Sequence, residues 1–595
     1  MKGKLYRSLG PVALAFLLGA TLFGSQTVSV AKRGLQNRVL AKQLAYETGK
    51  AKRPKHVMPL SSGVMYTLLQ ATGQLKAGGA GKAPRSRPQM PSEANTQGCQ
   101  NVFAGNPSNI RVNQDCSLRR QAEEVVVVNP NDQNHLVAGQ NDSRIGFNHC
   151  GYDWSFDGGQ TWGDQVPPFW QFQLLDGHTS DACSDPTATF DAEGNVYVGG
   201  IIFNVVSPAN AVVVAKSNAP IGGQFYHSPL VQPFQEYRNV PLGVVANDPG
   251  PDIFNDKEFI VADADPDSPK VNNVYATWTR FSLTNSPIYF SQSTDGGATW
   301  SPGIEISGND PTVCTFPVPG PCDQDQGSHP IVGPDGTIYV GFGNANTPGV
   351  GINQVLIVKC PASNDCSQQS SWTGPVKIND LIDNHPTGPS DEGCPAGRQC
   401  LPPNGYRVPE FTSITLSVDS SSKLYATWSD FRNGFVPPCD TGDAQTSEPP
   451  CDNDVFFSVS IDGGATWGPA VNVAPASKFG PSAQWQPWSA VTSDGRSLWI
   501  AYYDRSYGNC EFDGCNDITL ARVRPTANPI ITYTRITTAS MPNLTPANNP
   551  VQAGFLGDYM WVAVDSTGRP HIVWADTRGL NNTVEEDIYY ATVSP

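Results

Sequence analysis

Several things are scarce in this chain, and each scarcity excludes something. No cysteine precedes Cys99, so the N-terminal region can form no disulfide and holds no lipid-attachment thiol. None of the fourteen cysteines falls in a CxxC…CxxC pattern, which removes the usual zinc sites. After residue 31 no apolar run is long enough to cross a membrane as a helix. Positive charge is sparse beyond residue 98. Residues 32–98 hold twelve Lys/Arg against Glu47 and Glu93, a net +10, and the first 31 residues carry +3; a total of −16 then leaves −29 on residues 99–595. So acidic a body repels a phosphate backbone, which excludes nucleic acid as the partner.

What is present begins with an export signal. Lys2, Lys4 and Arg7 precede an apolar stretch over 11–23 and the small-x-small triplet Ser29-Val30-Ala31, so cleavage is expected after Ala31. The mature chain is expected outside the cell or in a periplasm. Residues 32–98, rich in Ala, Gly, Pro and Lys, read as a basic flexible spacer or pro-segment with one weakly helical stretch at 35–46. An even cysteine count in an exported chain points to seven disulfides. Nearest-neighbour pairing gives Cys99/Cys116, Cys150/Cys183, Cys314/Cys322, Cys360/Cys366, Cys394/Cys400, Cys439/Cys451 and Cys510/Cys515.

One octapeptide occurs three times: Ser155-Phe156-Asp157-Gly158-Gly159-Gln160-Thr161-Trp162, then 293–300 (STDGGATW) and 460–467 (SIDGGATW). It reads as a hairpin tip. The glycines permit positive φ. Asp157, Asp295 and Asp462 can accept hydrogen bonds from the turn's own backbone. Trp162, Trp300 and Trp467 are large enough to fill the gap between neighbouring sheets. A longer period lies behind it: turn residues at 129, 191, 263, 335, 419, 494 and 565 follow short apolar strands at steps of 62, 72, 72, 84, 75 and 71. Four antiparallel strands per step make a propeller blade. The last unit has three strands, and the orphan strand 109–112 supplies its fourth. The fold expected is therefore all-β, a single propeller over 99–595, with seven blades favoured over six and closed by an N-terminal strand. In unit four the segment 360–366 (CPASNDC) stands where the octapeptide should be, so a disulfide is expected to pin that hairpin.

With these octapeptides the chain resembles the Asp-box (BNR-repeat) β-propellers, whose best-known members are sialidases. The resemblance spans 109–595 as architecture. In unit five, Tyr406-Arg407-Val408-Pro409, then Asp430-Phe431-Arg432, then the third octapeptide follow the order of the opening sialidase blade. The resemblance implies that Arg407 grips a sugar carboxylate with Arg432 beside it, and that Asp440 or Asp443 donates the proton. Tyr559 with Glu410 would be the nucleophile pair. Sialidases have six blades, carry Ile where Val408 stands, and place this motif in the first blade.

Independently of any resemblance, strand direction puts the octapeptides on one face and the long loops on the other. Residues just before each innermost strand should ring the funnel on the loop face: Glu124, Asp185, Asp256 with Lys257 and Glu258, His329, Arg407 with Glu410, Gln486, and Asp558 with Tyr559. Such a carboxylate-rich ring can do acid–base work on a glycoside, or hold a calcium ion; no other cofactor is required. The recurrent Asp-x-Arg (Asp142/Arg144, Asp430/Arg432, Asp576/Arg578) reads as a structural ion pair. Two functions stand side by side: a secreted sialidase-like exo-glycosidase acting on terminal acidic sugars, and a non-catalytic propeller binding glycan or protein. A lyase or hydrolase acting on another polysaccharide is a third. The partner expected is a glycan or glycoprotein, and the chain is expected to be a monomer.

Overall fold

The computed structural model describes residues 34–54, 56–74, 108–115, 119–144, 146–225, 242–349, 352–382, 400–401, 406–408, 413–433, 453–544, 556–579 and 584–595. Its strands form seven four-stranded antiparallel sheets arranged as the blades of one propeller. Blade one is Gln121–Asn129, Asp132–Asp142, His149–Ser155 and Gly163–Gln165; its innermost strand packs against those of blades two and seven. Blade seven takes its fourth strand from the N-terminal side: Ile110 pairs with Tyr590 and Arg111 with Tyr589. The ring thereby closes without two free sheet edges. Each turn residue of the repeat lies in the hairpin between the first two strands of its blade. Several of these have a partner six residues on: Asp191 accepts from the Tyr197 hydroxyl at 3.0 Å and Asp419 from Tyr425 at 2.9 Å.

The octapeptides are hairpin locks. In the first, Asp157 Oδ1 accepts from the Thr161 N–H at 2.9 Å and Oδ2 from the Thr161 hydroxyl at 2.6 Å, while the Gly159 N–H donates to Ser155 Oγ at 2.9 Å. These bonds hold the Asp157 carboxyl below its usual range. Gly158 and Gly159 sit at φ 72° and 85°, and a Cβ on Gly159 would lie 2.2 Å from the Tyr590 ring of blade seven. Trp162 packs edge-on against that same ring. Asp295 and Asp462 repeat the bonds to Thr299 and Thr466. The Cys360–Cys366 disulfide occupies the corresponding turn of blade four, where Trp372 Nε1 donates to Cys366 O at 2.9 Å, just as Trp162 Nε1 does to Gly159 O at 3.0 Å. Cys150–Cys183, Cys314–Cys322 and Cys510–Cys515 also form. The other three expected pairs each involve a cysteine outside the described residues, where the export signal also lies. Among those residues no helix is long and apolar enough to cross a membrane.

Within 32–98, read from sequence as a basic flexible spacer or pro-segment, the described part is helical and packed. Residues Arg38–Glu47 form a helix, α1, capped by Asn37, whose side chain accepts from the Val39 and Leu40 N–H groups. Residues Ser62–Ala71 form a second, α2, capped by Ser61. Every residue of α2 is buried. Its sequence, SGVMYTLLQA, is apolar around most of its circumference, as a helix enclosed on all sides must be. Met58, Leu60, Val64, Leu68 and Leu69 join a core with Phe203, Phe254, Phe281 and Leu416 from the blades.

Candidate functional site

The innermost strands share a device that the alternation pattern hides. Each of blades one, two, three, four and six carries a bulge near its start, with one residue in left-handed conformation: Glu123 (φ 60°), Asp185 (56°), Lys257 (52°), Gly327 (71°) and Gln486 (48°). Gly557 (76°) precedes the innermost strand of blade seven. A bulge turns the next side chain off its alternating face, and non-glycine residues hold this conformation only where surrounding structure enforces it. Here it aims side chains from neighbouring blades at one point near the axis.

At that point lies Lys257, wholly buried. Its ammonium stands 3.1 Å from Asp558 Oδ2, 3.3 Å from Asp185 Oδ1 and 3.6 Å from Glu123 Oε1. Below it the Tyr559 ring receives the ammonium at 4.3 Å from its centroid. Tyr559 in turn packs on Phe259, which meets His329, and His329 meets Trp488, with Trp488 and Trp561 stacked at 3.8 Å. Above it sit Asp256, Asp558 and Arg407, whose Nε is 3.5 Å from Asp558 Oδ1. Arg407 is delivered by the two-stranded pairing of Cys400–Leu401 with Tyr406–Arg407. The cation within the acidic cluster is thus a lysine. Among the described residues no group of His, Cys, Asp or Glu is placed to hold a metal ion.

Proton affinities in the cluster are pushed apart. Burial, aided by the Asp185 charge, pushes Asp256 up to about 8. Arg407 and Lys257 overcome the burial of Asp558 and hold its carboxyl far below the usual range. Burial raises Glu123 and Glu258 well above theirs, against the opposing pull of Lys257.

The expected ring is therefore partly realised. Asp185, Asp256 and Asp558 converge. Glu124 does not: it lies against Ala575 of blade seven, and the bulge puts Glu123 in its place. His329 belongs to the aromatic floor; its Nδ1 accepts from the Leu416 N–H at 2.8 Å, and burial drives its pKa down to about 3, so it stays neutral. Gln486 donates to Gly557 O at 2.7 Å.

Of the residues implied by resemblance, Arg407 reaches the funnel. Arg432 does not join it. Its Nε and Nη2 hold the Asp430 carboxylate at 2.6–3.0 Å, Nη2 also donates to Asp380 O at 2.8 Å, and the guanidinium lies over Phe456 at 4.5 Å. Arg578 holds Asp576 in the same way, and Arg144 also pairs with its Asp142, so Asp-x-Arg is a structural clasp. Tyr559 lies beneath Lys257, where burial raises its hydroxyl well above the ordinary value and opposes a nucleophilic phenolate. Glu410, Asp440 and Asp443 lie outside the described residues. Sequence reasoning missed Glu123 and Gln326, because bulges are not visible in a period-two pattern.

The funnel mouth is filled. The Ser61 N–H donates to Asp256 Oδ2 and the Ser62 N–H to Asp558 Oδ2, both at 2.7 Å, and the Ser62 hydroxyl donates to Asp558 Oδ1. Arg407 donates to Leu60 O at 2.6 Å and Gln326 to Pro59 O at 3.1 Å. Helix α2 thus stands with its N-terminus on the acidic floor, the favourable sense for a helix dipole. An open groove of 620 Å³ lies elsewhere, at the outer edge of blade one, lined by Trp154, Phe156, Asp157, Trp162 and Asp164. The convergence of charged groups makes the funnel the chemically richer site.

No family model and no curated protein matches the chain. Among solved structures it is similar to the Hadza microbial sialidase Hz136, at 11% identity over 77% of this chain and 73% of that one, with a TM-score of 0.37. It is similar to the GH93 α-L-arabinofuranosidase of Fusarium graminearum at 9% identity, covering 69% and 92%, with a TM-score of 0.39. The polysaccharide lyase Uly1 matches at 10% identity, covering 86% and 95%, with a TM-score of 0.42. Values this low carry no argument about activity.

Proposed function

We propose that the funnel binds a glycan and that the chain is a secreted glycoside hydrolase of Asp-box propeller type. The observation that supports this is the meeting of Asp256 and Asp558 at one site with opposite proton preferences. Pairs of carboxyl groups driven apart in this way divide acid and base roles between them. Asp256, protonated near neutral pH, would give its proton to the glycosidic oxygen. Asp558, kept ionised by Arg407 and Lys257, would serve as the base or stabilise positive charge at the anomeric carbon. Arg407 is the group in the funnel that could take a sugar carboxylate, which keeps terminal acidic sugars within the substrate class.

The test is hydrolysis of methylumbelliferyl glycosides, the α-sialoside and neutral hexosides included, by the full chain. Asp256→Asn and Asp558→Asn should each lower kcat/KM by about 100-fold or more, in the range of general acid–base catalysis. A second reading, a non-catalytic glycan-binding propeller, is favoured by the hydrogen bonds that already engage both carboxylates. Binding without turnover by any variant would select it.

A further inference from the structure

We propose that residues 34–54 and 56–74 belong to an autoinhibitory plug: α2 occupies the place of the glycan in the funnel, and the site works only when α2 leaves. This rests on the funnel being the glycan site.

Four observations carry it. First, the plug engages the groups that a sugar would engage, and with similar chemistry. A hydroxyl and two N–H groups lie on the carboxylates of Asp558 and Asp256, and carbonyl oxygens lie on Arg407 and Gln326. Second, the fit is close but incomplete. A Cβ on Gly63 would lie 2.2 Å from Ser184 Oγ and 2.4 Å from Asn141 Nδ2, so the helix sits against the wall of blades one and two with no room to spare. Yet Ser184 Oγ, buried against the helix, finds no hydrogen-bond partner there; a hydroxyl-rich ligand would supply one.

Third, nothing covalent holds the plug. It contains no cysteine, whereas the blades are cross-linked. Fourth, the charges are complementary and in part exposed: Arg38 pairs at the surface with Asp252, and the whole 32–98 region carries +10 against −29 on the body. A plug held by one exposed ion pair, a few charge-assisted hydrogen bonds and apolar packing, with no disulfide, is one that proteolysis or a competing ligand can remove.

The test compares the full chain with Ser62→Asp, which sets a third carboxylate against Asp558, and with Gly63→Val, which cannot fit against Ser184. Hydrogen exchange over 58–71 reports release, exchange in the blades reports their integrity, and the methylumbelliferyl panel reports function. Fast exchange confined to 58–71 with a tenfold or greater rise in kcat/KM is the expected result, since occlusion multiplies apparent affinity by the open fraction. A synthetic peptide of residues 56–74 added to Ser62→Asp should reverse the gain, and the same peptide carrying Ser62→Asp should not. Release with turnover equal to the parent's overturns the plug while leaving the glycosidase reading standing. Release with no turnover by any protein overturns the glycosidase reading and the plug with it. Exchange that stays slow in both variants shows α2 to be an integral part of the core and overturns the plug alone.

Discussion

The blades and the plug hold their chain in place by different means, and the difference shows which of them can move. In the blades every strand is paired along its length, hairpins are pinned by carboxylates or disulfides, and the ring closes on itself through residues 110–111. To release one blade is to break sheet ladders and the core together. The plug pairs with no strand. Its grip is a handful of polar bonds plus buried Met58, Leu60, Val64, Leu68 and Leu69.

This contrast can be broken from either side. The largest effect is expected at the point where the two regions meet. Lys257→Met leaves Asp185 and Glu123 buried without their cation and Asp558 with Arg407 alone, and should destabilise the propeller by about 3–5 kcal/mol, read as a lowered denaturant midpoint. Next, Leu68→Ala should weaken the plug by about 2–4 kcal/mol and raise exchange over 58–71, with the blade midpoint unmoved; a loss shared equally by both regions would show them to be a single cooperative unit. Replacing Cys360 and Cys366 together by serine should cost the blades about 2 kcal/mol without changing plug exchange. Asp157→Ala, which removes a turn lock of the helix-cap kind, should cost about 1 kcal/mol by thermal unfolding.

The plug should also answer to pH. Asp256 is raised to about 8 by burial under α2 and by Asp185, against Lys257 and the Ser61 and Gln326 bonds. With α2 gone part of that burial is relieved, while the Asp185 charge still raises its proton affinity. A group with its proton affinity raised in the closed state stabilises that state fully below its open-state value and loses this contribution as pH rises through about 8. Opening should therefore increase by up to tenfold per pH unit across that window, seen as falling protection of 58–71 after correction for intrinsic exchange. Asp558, depressed in the closed state, acts in the opposite sense but only in strong acid. Flat protection from pH 5 to 8 would remove Asp256 from the control of the plug.

Much of the architecture was legible because it is written locally and repeatedly. A turn residue followed by a Tyr- and Val-rich strand, recurring seven times, leaves little choice but a seven-bladed ring, and the closing strand follows from a missing fourth strand. The octapeptide shows its own mechanism, with Asp, Gly and Thr within one turn of each other. The site was half legible. Asp185, Asp256, Asp558 and Arg407 stand where strand direction puts them. Glu123 was hidden by a bulge that swaps it with Glu124, and Arg432 was claimed by an aspartate two residues away.

What the sequence by itself determined is therefore the blade, its count and its locks, because these rest on contacts between residues close in the chain. What only the tertiary structure decided is the content of the funnel. The Lys257 cluster gathers side chains from blades one, two, three and seven, and α2 reaches it from a segment whose composition reads as a spacer. No local pattern encodes a meeting of residues up to 496 positions apart, such as Ser62 and Asp558; closing the ring brings them together.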